Sequence, residues 1–277
     1  MAFQEGMVRL RGKIGNIVNY RRKGKYLSKK AAESYEQTEN TKKSGMDFGK
    51  ASSAGALIRK AFTPILKNLA DDEFYNRLNG KLSTVIHTGP AMLIGNRQVT
   101  DGDLGLLKEI EFNRFTPTKN LLHILPTVQL DASDTIQITL PKMIIAQAFA
   151  IPPKATKAVL QLICCTFDFP GKNGRFVIPD ELHIPLDKET FPGGMLDLPL
   201  DTLEERVLVV AIGISFRTAD GVQIGNRKYY GGRIIESALV RDGKIVPFQY
   251  PEPDPVPPTQ EPVHRVSWKL NDEDAAS

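Results

Sequence analysis

Two cysteines are all the chain has in 277 residues, and they are neighbours, Cys164 and Cys165. A pair so placed cannot build the cross-linked framework of a small secreted domain. A vicinal disulfide would be strained, so both read as buried thiols in the apolar run AVLQLICCTFDF. Long apolar runs are missing as well. Nothing approaches 18 consecutive apolar residues, so no transmembrane helix and no membrane partner are expected. The opening MAFQEGMVRL has no apolar signal core and carries an early acid. Conventional secretion is therefore not expected, and the chain reads as soluble, cytoplasmic or part of a virion.

Histidine is scarce and scattered. His87, His123, His183 and His264 stand singly, none with Cys, His or carboxylate neighbours at metal-ligand spacing. Gly-x-Ser-x-Gly, Walker and dinucleotide patterns are absent. The glycines of GKNGRF and GVQIGNR lie between strand-like runs, where they read as turn residues before phosphate cradles. Asp71-Asp72-Glu73 reads as a solvated helix start before it reads as a metal site or acid–base pair. The expectation is a protein that is not an enzyme, with no metal, cofactor or small-molecule substrate.

What the chain does have is positive charge in one place. Residues 1–67 hold 15 Lys/Arg against 5 Asp/Glu, while the remaining 210 hold 21 against 27. A basic front on a mildly acidic body suggests nucleic acid, an anionic surface or an acidic face of a neighbouring subunit. The basic residues concentrate in GKIGNIVNYRRKGKYLSKKAA, residues 12–32. Two strand-like runs there flank Lys23-Gly24, and a glycine that accepts positive φ predicts a tight hairpin. Alternation puts Ile17, Asn19 and Arg21 on one side, Val18, Tyr20 and Arg22 on the other. Arg21, Arg22, Lys23, Lys25, Lys29 and Lys30 cluster around the turn with Tyr20 and Tyr26 between them. Three readings stay open: phosphate contact with base stacking, a sheet edge protected by lysines, and docking on the acidic body of another copy.

Beyond a polar connector at residues 33–43 the period changes. Phe48, Ala51, Gly55, Ile58 and Phe62 fall on one helical face, and ASSAGA is small enough for another backbone to approach closely. Pro64 predicts a kink or the start of a second helix. Asp71-Asp72-Glu73 then opens a helix with Phe74, Leu78 and Leu82 in its apolar stripe. From about residue 84, short runs such as STVIHT, KEIEFN, DTIQITLP and ERVLVVAIGISFRT read as strands separated by turn residues. The expected fold is mainly β, two sandwich domains preceded by a basic hairpin and short helical module. Its divisions are 1–83, 84–150, 151–246 and a proline-rich tail, 247–277. Near the tail's end, VHRVSWKL places Val266, Trp268 and Leu270 on one strand face, a set expected to dock on a neighbouring subunit with Trp268 as anchor.

Two segments together carry a resemblance. GKIGNIVNYRRKGKYLSKKA followed by GKASSAGALIRKAFTPIL, with ISFRTADGVQIGNRKYYGGRIIE near the other end, resembles an uncharacterised family of Bacteroidota proteins. In the second segment an Asp-Gly turn, Asp220-Gly221, precedes a Tyr-x-Gly strand at Tyr230-Gly231-Gly232. What the resemblance implies is architecture, a basic N-terminal module followed by immunoglobulin-like β domains. It carries over no catalytic residue. The functional expectation is a homo-oligomeric structural protein that assembles through both arms, such as a phage capsid or tail component. The alternative is an intracellular nucleic-acid-binding protein using the basic arm.

Overall fold

The computed structural model describes residues 2–3, 10–22, 24–31, 36–130, 135–199 and 205–251. The chain forms two compact units, residues 1–43 and 44–277. In the first, strands β1 (Ala2–Phe3), β2 (Gly12–Ile14), β3 (Ile17–Arg22) and β4 (Lys25–Lys30) make a four-stranded antiparallel sheet in the order β1-β4-β3-β2. The hairpin forms where its glycine predicts it. Arg22 pairs with Lys25 across the Lys23-Gly24 turn, and Gly24 takes φ +79°. Gly15, at φ +54°, makes the matching turn between β2 and β3, where Ile14 pairs with Ile17.

Two helices lead into the second unit's core. α1 (Glu39–Leu69) runs through Pro64 without ending, and the Thr63 hydroxyl donates to the Arg59 carbonyl 3.0 Å away, one turn earlier. Its buried stripe is Ala51, Ala54, Ile58, Phe62, Ile65 and Leu69. Phe48 is exposed, contrary to its expected place in that stripe. Asp47 turns inward instead and accepts the Gly95 N–H at 3.1 Å. The small residues do permit close approach, since a side chain at Gly55 would collide with Asn79 of α2 (Phe74–Thr88). In α2 the expected Phe74, Leu78 and Leu82 are buried, and the stripe continues through Val85 and Ile86. STVIHT is therefore the end of a helix and not a strand. Burial of Val85 and Ile86, three and four residues after Leu82, outweighs the preference of β-branched residues for strands.

Between α2 and residue 126 the described chain forms short 3₁₀ turns, and KEIEFN contributes one bridge, Glu111 to Arg233. The strands come later: β5 (Thr127–Leu130), β6 (Thr135–Leu140), β7 (Met143–Ile144), β8 (Lys157–Asp168), β9 (Asn173–Val177), β10 (Leu182–Pro185), β11 (Thr190–Phe191), β12 (Gly194–Pro199), β13 (Arg206–Arg217), β14 (Gly231–Arg241) and β15 (Lys244–Val246). The fold is mainly β, with several antiparallel sheets. A six-stranded sheet has the order β10-β8-β13-β14-β15, with β9 also on β8; a smaller sheet has the order β12-β6-β5. Pairing of β6 with β12 and of β7 with β11 crosses the expected division at 150/151. Residues 84–150 and 151–246 accordingly share the same hydrophobic clusters, and the chain's own division falls at 43/44 rather than 83/84.

Alternation along the central strands sets the layers. Ile163, Cys165 and Phe167 of β8, with Val207, Val209 and Ala211 of β13, pack against α1 and α2. Cys164, Leu208 and Val210 point the other way, onto Ile136, Ile138 and Leu198 of the small sheet. Helices, large sheet and small sheet thus stack in that order. A bulge shifts the β13–β14 register, with Val210 opposite Glu236 and Ala211 opposite Ile234. Gly213 and Gly232 face each other across this pair. A Cβ at Gly232 would sit 2.6 Å from the Ile212 carbonyl oxygen and 2.8 Å from Phe112, and one at Gly213 would strike Leu69. The Tyr-x-Gly strand is thus a packing requirement, while Asp220-Gly221 is the turn it reads as, with Gly221 at φ +77°. Among the described residues no helix is long and apolar enough to cross a membrane.

Candidate interaction surface

Register decides which side chains of the N-terminal sheet share a face. Directly opposed residues of an antiparallel pair point the same way. Ile17, Asn19 and Arg21 lie opposite Lys30, Ser28 and Tyr26, so those six share one face with Ile14. Val18, Tyr20 and Arg22 lie opposite Lys29, Leu27 and Lys25 on the other face, joined by Lys13 and Phe3. Both faces are basic, and no acid occurs on β2, β3 or β4.

Aromatic rings are interleaved with these cations on both faces. The Arg21 guanidinium lies 5.6 Å from the Tyr26 ring centre, Lys29 lies 5.7 Å from Tyr20, and Lys25 lies 5.6 Å from Phe3. Each contact is worth about 0.5–1 kcal/mol at an exposed site. At the tip the arrangement opposes its own stability, because Arg22 and Lys25 are directly opposite and like-charged. The apolar interior is small. Leu27 and Ala31 are buried, while Phe3, Ile14 and Ile17 are at least half exposed. Asn19 is also buried and accepts the Ser28 hydroxyl at 2.7 Å. Lys23 lies outside the described residues, as do Val266, Trp268 and Leu270. Phe3 and Lys13 join the basic surface without having stood out in the sequence, because their places depend on pairing with β4 and β3.

In the second unit the acidic cluster at the start of α2 is a latch. The Asp71 carboxylate accepts Glu73 N–H at 2.8 Å, Arg77 Nη1 at 2.9 Å and Arg114 N–H at 2.8 Å, and its side chain is 4% exposed. Burial pushes this carboxyl up, but the Arg77 hydrogen bond and the two N–H donors outweigh burial and hold it below its ordinary value. Glu111 goes the other way. Burial raises it despite bonds from the Thr118 hydroxyl and N–H and the nearby Arg233. These groups hold the 111–118 loop against α2 and β14 and are consumed by each other. Neither the solvated-start reading nor the acid–base reading of Asp71 fits.

His87, His123 and His183 are exposed and apart, His123 bonded to the Gln147 carbonyl at 2.6 Å and His183 lying 3.3 Å from Glu181. Among the described residues no three His, Cys, Asp or Glu converge as metal ligands would. Cys164 and Cys165 are buried and unbridged on opposite faces of β8. Burial alone pushes the Cys164 thiol up to about 12, and burial together with the neighbouring Cys164 raises Cys165 further. Among the described residues two clefts escaped the sequence, the first of about 430 Å³ at the β14–β15 edge. The second, an apolar cleft of about 460 Å³, opens between the small sheet and the β8–β10 side of the large one. No local signal marks it, since its walls belong to two separate sheets that meet only by stacking. Comparison of the chain with family models, with curated proteins and with solved structures finds no match.

Proposed function

We propose that the chain is a non-enzymatic structural protein that assembles with copies of itself through its two terminal arms. The setting proposed is the cytoplasm or a virion, in an intracellularly assembled particle such as a phage capsid or tail. One observation carries this reading: the N-terminal sheet bears cations on both faces, with Arg22 held opposite Lys25. A like-charged pair weakens the sheet that contains it, so such a sheet suits an anionic partner outside it. The acidic balance of residues 68–277 offers such a partner in another copy, and exposed Phe3, Ile14 and Ile17 supply apolar area to bury there. Two antiparallel sheets packed face to face support the immunoglobulin-like part of the reading. The resemblance to the Bacteroidota family adds architecture and no residue role.

Cations interleaved with aromatics also favour a second reading, nucleic-acid binding through the same sheet. Size-exclusion chromatography with light scattering, at low and high salt, separates the two. Multimers that persist in high salt support assembly. A monomer that binds random DNA or RNA with steep salt dependence supports the second reading. Replacing Arg21, Arg22, Lys23 and Lys25 with Gln should weaken whichever activity is present, most at low ionic strength. A variant that assembles and binds as the parent does removes the hairpin from both.

A further inference from the structure

We infer that the cleft between the two sheets receives residues 263–270 from a second copy of the chain, a proposal that rests on the assembly reading above. The cleft holds about 460 Å³, the size of a built binding site and larger than a packing flaw. Leu160, Leu162 and Ile212 form its floor and Leu196 its opposite wall. At the rim, Leu182 and Met195 are 39% and 63% exposed. Leu182 belongs to β10 and Met195 to β12, and each of these strands ends its sheet. The sandwich is therefore open along one seam, with apolar side chains inside and, among the described residues, unpaired strand edges at its lip. An added strand whose alternate residues are apolar is the occupant such a seam accepts.

The segment VHRVSWKL has that pattern. Alternation in an added strand would put Val266, Trp268 and Leu270 on one face and Arg265 and Lys269 on the other. Asp180 and Glu181 stand on the cleft rim; Glu181 is ion-paired with Arg217 at 2.7 Å, so Asp180 is the rim charge that complements Arg265 or Lys269. Topology argues for another copy as the donor. The described chain ends at Pro251, just past β15, and Tyr250 donates its hydroxyl to Asp103 at 2.8 Å. β15 and β10 are opposite ends of the large sheet, four strand spacings or about 19 Å apart. Helices cover one face between them and the small sheet covers the other, so a tail reaching its own cleft must round a full layer. A neighbour's cleft imposes no such detour. Donor at one edge and acceptor at the other is a head-to-tail contact, which builds rings or open chains.

Trp268 is the chain's one tryptophan, so its fluorescence reads the tail in the intact protein. At concentrations where light scattering finds multimers, its emission should be blue-shifted and shielded from acrylamide. Dilution to monomer should return it to the emission of solvent-exposed tryptophan. Leu182→Lys and Met195→Lys alter exposed side chains, so circular dichroism should be unchanged. Each should expose Trp268 and lower the scattering mass, as should Trp268→Ala for the mass. Shielding that survives both cleft variants places the tail elsewhere and overturns the inference, with the assembly reading intact. Shielding in a dilute monomer overturns the second copy as donor. Multimers with an exposed Trp268 also sink the inference alone, whereas a monomer at every concentration with Trp268 exposed defeats both readings.

Discussion

Arg77 reaches back six residues to place Nη1 2.9 Å from Asp71 Oδ1, while its Nη2 donates to the Glu111 and Phe112 carbonyls at 2.9 and 3.2 Å. One guanidinium thus ties the start of α2 to the loop that runs against β14. The Glu111 carbonyl takes a donor from this side chain, while the Phe112 carbonyl also accepts the Asp71 N–H at 2.9 Å.

Replacing Asp71 with Asn should destabilise the second unit by about 1.5–3 kcal/mol near neutral pH, the usual loss for a hydrogen bond to a charged group. Asp71 is held below its ordinary value in the folded chain. Its contribution is therefore complete above that ordinary value and disappears as pH falls through the folded one. Denaturant titrations of parent and variant should differ by a constant amount at pH 6–8 and converge in strong acid, on the order of pH 2–3 or below. Curves that differ equally at every pH would remove the carboxylate's charge from the account.

Glu111→Gln should behave with the opposite sign. A carboxyl raised by burial favours the folded state when protonated, so its stabilising effect is present below its ordinary value and lost as pH rises through the raised one. The stability of the parent relative to the Gln variant should therefore increase on acidification from pH 7 towards about pH 4. A relative stability that falls over that range would contradict the assignment.

Two glycine substitutions should split in direction. Gly232→Ala puts a Cβ against the Ile212 carbonyl and Phe112 ring, neither of which has room to yield, and should cost about 1–3 kcal/mol. Gly80→Ala adds its Cβ in open space within α2 and should stabilise by about 0.4–1 kcal/mol. Thermal melts of both variants check the pair. Equal effects would mean that glycine acts here through chain entropy and not through close packing.

Arg22→Glu separates stability from function in the hairpin. It replaces a like-charged opposed pair with an attractive one, worth about 0.2–1 kcal/mol to the sheet. Amide exchange in β3 and β4 should slow while assembly or polyanion binding weakens. Faster exchange together with unchanged association would show that the tip serves the hairpin alone.

Much of the local structure was legible in the residues. Gly24 and Gly221 carry the positive φ that a tight turn demands, and neither needs a distant partner to specify it. The α2 stripe of Phe74, Leu78 and Leu82 likewise follows from 3.6-residue periodicity, and the split of Cys164 from Cys165 to opposite layers follows from strand alternation. What the residues did not disclose depends on partners far along the chain. Val85 and Ile86 look like strand residues until the core they fill is known, and the same holds for the inward turn of Asp47 that leaves Phe48 exposed. The division at 150/151 failed because β6 pairs with β12 and β7 with β11, contacts no local pattern announces. Asp71 reads as a solvated helix start because Arg114 is 43 residues away and only folding brings its N–H there. The cleft belongs to the same class, since Leu182 and Met195 become neighbouring rims only once two separate sheets stack. Periodicity and φ preference are properties of a segment, whereas burial is a property of what the rest of the chain places against it.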